Sequence, residues 1–190
     1  MQLTTYCFER PGPENTEQTL RIALERARAL GIRQAVVASS HGGTARRAQE
    51  LFGPHGIRVV AVTISHGWES NGWCMDRETK EALRAQGIAV VTGIHALGDG
   101  VATAFSSKHG GSSADEIVRD TLYRFCQGMK VAVECVLMAA DAGELNVGEE
   151  VIAIAGSGSG ADTAIVVKPA YPRTFFDLEI REILAKPRGG

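Results

Sequence analysis

The sequence predicts an α/β fold, a three-layer α/β/α sandwich around a mostly parallel, doubly wound sheet. Three observations carry that prediction: short runs that are apolar at every position, helical-period segments between them, and glycine-rich breaks just after the apolar runs. A strand apolar throughout is covered on both faces, and strands alternating with helices are the pattern of a parallel sheet. The 190 residues fit a single α/β domain over 1–190, and 44 % hydrophobic with 22 % charged residues excludes a disordered chain. A chain of this length buries roughly 70 % of the surface it exposes when unfolded, so it needs no disulfide or metal to fold.

The first helix is Thr16–Leu30, with Asn15 placed to cap it, Gln18 three residues on, and Leu20, Ala23, Leu24, Ala27 and Leu30 at helical spacing before Gly31 ends it. Gln34–Ala38 is a short apolar strand that breaks into Ser39-Ser40-His41-Gly42-Gly43-Thr44, with a helix over 45–52. The same unit recurs as strand Arg58–Thr63, a polar loop containing Trp68 and Trp73, and a helix over 77–86 capped by Asp76 and stopped by Gly87. A third strand covers 88–92. Residues 93–112 are rich in Gly and Ser with weak periodicity, which reads as a long loop or a short helical excursion. Ser113 and Glu116 form a capping box for a helix over 114–125, and a strongly apolar helix follows Gly128 over 130–142. Val151–Ala155 and residues 163–167 are the fourth and fifth strands, and a short helix is expected over 176–184 among the prolines of the tail.

Charge and cysteine usage bound the function. Twenty basic against twenty-two acidic residues give a net charge of −2, which argues against a nucleic-acid partner while leaving room for a local anion pocket. The longest apolar stretch, residues 131–140, contains Glu134, so no membrane span is expected. The opening MQLTTYCFERPG lacks the apolar core of a signal peptide, and Cys7, Cys74, Cys126 and Cys135 show neither C-x-x-C nor zinc spacing. The expectation is a cytoplasmic protein with reduced, buried thiols and no resident metal.

Ligands of an open parallel sheet bind beyond the carboxyl ends of its strands, so the loops beginning at Ser39, Ser65, Gly93 and Gly156 are the ones to inspect. Ser39, Ser40, Gly42, Gly43 and Thr44 put hydroxyls and glycines between a strand and a helix N-terminus, a geometry receptive to phosphate, although ordinary strand-to-helix turns use the same residues. Gly156, Ser157, Gly158, Ser159, Gly160 and Ala161 satisfy G-x-G-x-x-A. A strand rather than a helix follows, which excludes a Rossmann dinucleotide site and leaves a hairpin loop able to hold an anion or simply to turn. His41, His66 and His95 each follow a different strand, and His95 is the candidate for proton work. Glu134 lies in an apolar helical turn near the ligand edge, where a carboxylate needs a ligand, a loop or another partner.

Two segments carry a resemblance. VVASSHGGTARRA resembles the strand–loop–helix of the pyruvate kinase C-terminal domain through Ser39, His41, Gly42, Thr44 and Ala45. AGSGSGADTAIVV resembles that domain's closing segment through Gly156, Ser157, Gly158 and Thr163. In pyruvate kinases that respond to sugar bisphosphates these loops hold the effector's phosphates. Together with YCFERPGPENTEQTL and ADTAIVVKPAYPRTFFDLEIREI, the match is closer to a small stand-alone family similar to that domain, whose members bind flavin mononucleotide (FMN) and have no assigned function. The resemblance implies a pyruvate kinase C-terminal domain-like fold, FMN as cofactor, and its phosphate on Ser39, Ser40, Gly42, Gly43 and Thr44. The loop Gly156, Ser157, Gly158, Ser159 and Gly160 would lie nearby, with Ser65, His66, Gly67 and Lys108 as further contacts. His41 replaces a hydroxyl of the family pattern, and Asp162 sets a negative charge beside the second loop, which favours one phosphate on a large neutral body. Three function classes stay open: an FMN-binding protein or flavoenzyme, a phosphometabolite-sensing regulatory module acting on a partner or through a homo-oligomer, and a hydrolase or isomerase using Glu134 and His95.

Overall fold

The computed structural model describes residues 2–189. In chain order its strands are β1 (Tyr6–Phe8), β2 (Gln34–Ala38), β3 (Arg58–Thr63), β4 (Ala89–Thr92), β5 (Val151–Ala155), β6 (Thr163–Lys168) and β7 (Glu179–Pro187). The helices are α1 (Thr16–Leu30), α2 (Gly43–Phe52), α3 (Arg77–Ala85), α4 (Val101–His109), α5 (Ala114–Leu122) and α6 (Gln127–Asp141), with short 3₁₀ turns between them. The strands form one sheet in the order β1-β7-β6-β5-β2-β3-β4. Pairings β1–β7, β2–β3, β2–β5 and β3–β4 are parallel, and β6 runs antiparallel to both its neighbours. The mostly parallel sheet expected from the sequence is therefore present.

Helices cover both faces. Because successive side chains of a strand point to opposite sides, Ala35, Val37, Val59, Ala61, Ile152 and Ile154 pack with Leu20, Phe52 and Leu83 of α1, α2 and α3. Val36, Val60, Val62, Ala153 and Ala155 pack with Met129, Val133, Val136 and Leu137 of α6. α6 is buried along nearly its whole length, which is why its sequence is apolar almost all round. It starts unusually close to the sheet. A Cβ on Gly128 would stand 2.2 Å from Thr163 Oγ1 and 3.0 Å from Asp162 Oδ1, so only glycine lets the helix N-terminus meet β6.

The structure corrects several expectations. In place of the helix expected over 176–184, the 3₁₀ turn Pro172–Asp177 ends and β7 follows, carrying two register shifts against β6. The pairing passes from Ala185 to Ile183 and from Glu182 to Ile180, so Leu184 and Arg181 are extra residues on β7. Each bulge moves the two-residue alternation by one, which leaves the apolar positions Ile180, Ile183 and Leu184 at a helix-like i, i+3, i+4 spacing. Residues 93–112 contain α4, and the three-residue β1, too short to carry a period, pairs with β7. Asn15 does not cap α1; its Nδ2 donates to Arg10 O at 2.9 Å, and Thr16 Oγ1 accepts from Ala161 N at 2.9 Å. Asp76 does cap α3, and Ser113 with Glu116 does form the capping box of α5. All four cysteines are free, but only Cys126 and Cys135 are buried; Cys7 is exposed and Cys74 half-buried. Among the described residues no helix is long and apolar enough to cross a membrane.

The close approach of α6 sets a direct test. Gly128→Ala forces the helix off Thr163 and is expected to destabilise the fold by about 1–3 kcal/mol, seen as a lower urea midpoint at unchanged m-value.

Candidate functional site

Sequence order reverses around β2, with β3 on one side of it and β5 on the other. The crevice beyond the carboxyl ends of strands at such a point is the usual ligand position. On the α6 face a cavity of about 500 Å³ opens there, floored by Ser39, Ser40 and Thr63, walled by Trp68, Trp73 and His95, and backed by Lys130, Glu134, Cys135 and Met138. A second cavity of about 650 Å³ adjoins it, sharing Trp68, Gly98, Asp99, Thr103 and Ser107. Ser65, His66 and Gly67 line this second cavity rather than the first.

The β2–α2 loop is held rigidly while its outer face stays open. Ser39 N donates to Val62 O at 2.9 Å, and Ser39 Oγ accepts from Ala45 N at 3.2 Å. Gly42 takes φ +85°, and a Cβ there would meet Thr79 Cγ2 of α3 at 3.1 Å. Gly43 and Thr44 then begin α2, where backbone N–H groups have no acceptor within the helix and the dipole is positive. Ser39, Ser40, Gly42, Gly43 and Thr44 thus form one continuous turn reaching from the cavity floor to a helix N-terminus.

The β5–β6 loop is a hairpin turn, as its missing helix predicts. One of its N–H groups, that of Ser157, is taken by a carboxylate of the chain itself, and those of Ser159 and Ala161 by Ser157 O and Thr16 Oγ1. Asp162, fully buried, accepts from Ser157 N at 3.1 Å and Gly12 N at 3.3 Å through Oδ2, and from Thr163 Oγ1 at 2.8 Å through Oδ1. The loop packs tightly too, since a Cβ on Gly156 would stand 2.6 Å from Gly160 O, and one on Gly160 2.6 Å from Pro13 Cα. Gly156, Ser157, Gly158, Ser159 and Gly160 line neither cavity.

His95 and Glu134 both face the first cavity, each already bonded within the protein. His95 Nδ1 lies 2.7 Å from Asp99 Oδ2, and Nε2 accepts from Ser65 N at 3.3 Å. That pattern places a proton on Nδ1 and leaves Nε2 the acceptor. Asp99 Oδ2 also accepts from Ser65 Oγ at 3.0 Å and Trp68 Nε1 at 2.9 Å, which orients the indole. Trp68 stacks on Trp73 with ring centroids 5.4 Å apart. Glu134 accepts from Lys130 Nζ at 2.5 Å and from Leu97 N at 3.0 Å, so it fastens the 95–99 loop to α6. Lys130 Nζ also stands 5.8 Å over the Tyr123 ring. Burial pushes the Cys135 thiol well above its ordinary range, with Glu134 adding to the shift.

The remaining candidates are dispersed. His41 is exposed, His66 Nε2 lies 3.3 Å from Lys80 Nζ, and neither meets His95. Lys108 is exposed on the last turn of α4 and lines neither cavity. Sequence reasoning missed Asp99, Thr103, Ser107, Arg119 and Lys130. Two of these were readable, because Asp99 stands four residues after His95 and Lys130 four before Glu134, the spacing at which helical side chains meet.

A seven-stranded, mostly parallel sheet covered by helices on both faces, with a cavity at the point where strand order reverses, defines an α/β domain. The family described as the pyruvate kinase alpha/beta domain matches residues 17–167, from the start of α1 to near the end of β6, and the chain belongs to that family.

Two outcomes follow from the bonding around the cavity. Glu116 accepts from Ser106 Oγ at 2.5 Å and from Ser113 N and Oγ at 3.0 and 2.8 Å, bonds that lower its pKa from an ordinary 4.5 to about 2. A depressed carboxyl stabilises fully above its unfolded value and loses that contribution as pH falls toward the folded one. The Ser106 link between α4 and α5 is therefore expected to weaken from about pH 4.5 down to about 2, read as faster amide exchange in α4 before global unfolding. Lys130→Met leaves Glu134 buried with no counter-charge and is expected to cost about 3 kcal/mol. Lys130→Met with Glu134→Met should recover most of that loss in a denaturation cycle.

Proposed function

We propose that the chain is a cytoplasmic FMN-binding protein that takes the flavin ring into the cavity at the ends of β2 and β3 and the phosphate onto the β2–α2 loop. The supporting observation is the continuity of these two features. The turn through Ser39, Ser40, Gly42, Gly43 and Thr44 begins on the cavity floor and ends at the N-terminus of α2. A cavity of about 500 Å³ is in the range of small-molecule sites, and stacked Trp68 and Trp73 offer a flat aromatic wall.

Charge supports the same orientation. Lys130 is paired with Glu134, and Arg119 with Asp120 and Glu116, while Asp99 adds a further carboxylate. The cavity therefore suits a neutral body, and the phosphate is better received by free N–H groups at its mouth. The bound flavin would supply redox chemistry; these residues would orient it and exclude water.

A sensing module that binds a phosphometabolite without catalysis is the second reading. It is favoured by the engagement of both His95 nitrogens and both Glu134 oxygens in bonds within the protein. The same observation weighs against a hydrolase or isomerase working through those two residues.

The visible absorption spectrum of the purified protein, before and after FMN addition and desalting, separates the readings. Retained flavin bands support FMN binding; a colourless protein stabilised by sugar phosphates supports the sensor. Thr44→Asp sets a negative charge against the phosphate and is expected to weaken FMN binding on the order of a hundredfold, with an unchanged far-UV circular dichroism spectrum. Unaltered affinity would remove the phosphate from this loop.

A further inference from the structure

The helix α4 is built inside out. Its two half-buried side chains are the hydroxyl residues Thr103 and Ser106, while Val101 and Phe105 are 74 % and 63 % exposed. Ser106 is accounted for, since its hydroxyl bonds Thr103 O and Glu116 Oε2. Thr103 is not. Its Oγ1 is shut off from solvent and has no hydrogen-bond partner, a costly state for a hydroxyl that another contact does not relieve. The other such atom among the described residues, Gln49 Oε1, belongs to a residue lining neither cavity.

Thr103 lines both cavities, as does Ser107 one helical turn further on. Two neutral hydroxyls on one face of a helix, beside the carboxylate of Asp99, suit an uncharged hydrogen-bonding group and repel an anion. Glycines flank the helix at Gly98 and Gly100 and at Gly110 and Gly111, the last two at φ +80° and +92°. Such ends let the helix settle against whatever fills the cavities.

We infer that Thr103 and Ser107 are ligand-contacting residues that receive an uncharged polyol segment of the molecule in the cavity, and that α4 settles onto that segment. The inference rests on the proposed FMN reading, in which the ribityl chain between phosphate and ring is that segment. Thr103 Oγ1, closed off from solvent, pairs with that segment only as α4 settles onto it.

Opposed effects of one substitution test it. Thr103→Val keeps the side-chain shape and deletes the unpaired hydroxyl. It is expected to weaken FMN binding about two- to tenfold, while the ligand-free protein melts no lower than the unsubstituted one. Ser107→Ala, at an exposed position where folding is not at stake, should weaken FMN in the same range, and FMN should slow amide exchange across residues 101–109. Failure of the unsubstituted protein to bind FMN would overturn the proposed function and this inference with it. Normal FMN affinity in both variants would overturn the inference alone. So would a clearly lower melting temperature of ligand-free Thr103→Val, because it would make the hydroxyl structural.

Discussion

The buried carboxylate of Asp162 accepts from Gly12 N, Ser157 N and Thr163 Oγ1, and a Cβ placed on Gly128 at the start of α6 would stand 3.0 Å from its Oδ1. The segment before α1, the β5–β6 hairpin, the reversed strand β6 and the helix covering the second face therefore converge on one side chain. A buried charge is tolerable only where hydrogen-bond donors satisfy it, and here backbone N–H groups and a hydroxyl do so beside the positive end of α6. The reversal at β6 and the close seating of α6 thus depend on the same local arrangement.

That arrangement also divides labour between two glycine-rich loops of similar composition. The β5–β6 loop is supplied with an anion by the chain itself and is packed against Pro13 and Thr16. The β2–α2 loop has no acidic residue inside it, and exposed Gly43 and half-buried Thr44 begin α2, where N–H groups have no acceptor within the helix. Composition alone makes the two loops look equivalent. One carboxylate immediately after the hairpin separates them, because a helix or loop N–H group already bonded to Asp162 is not available to a ligand.

The fold was legible where the sequence repeats one physical pattern. Residues 35–38 of β2, 59–62 of β3 and all of β5 are apolar because both faces are covered, and glycine follows β5, α1 and, one residue on, α3. Legibility failed where local and tertiary signals disagree. On β7 two bulges shift the alternation and leave a helix-like spacing at Ile180, Ile183 and Leu184. On α4 the apolar residues face outward, so the helix has no inward stripe for a period to reveal. Asn15 is a good capping residue, yet it ends the 3₁₀ turn Pro13–Asn15 in helical conformation rather than the extended one of an N-cap, and its side chain bonds Arg10 O instead.

At the cavity, local pairs were visible and their convergence was not. His95 with Asp99 and Lys130 with Glu134 are both four apart in sequence. Sequence spacing cannot reveal that both pairs clamp the same five residues: Glu134 takes Leu97 N from one side, and Ser65 and Trp68 take His95 and Asp99 from the other. This double hold fixes the wall between the two cavities while α4, beyond it, is joined through Ser106 to Glu116. The site accordingly combines a rigid floor and wall, set by buried polar bonds, with a cover whose inward face is polar. A molecule that completed the bonding of that cover would therefore meet a floor and wall whose polar atoms are already paired within the protein, and the open choice lies with the cover alone.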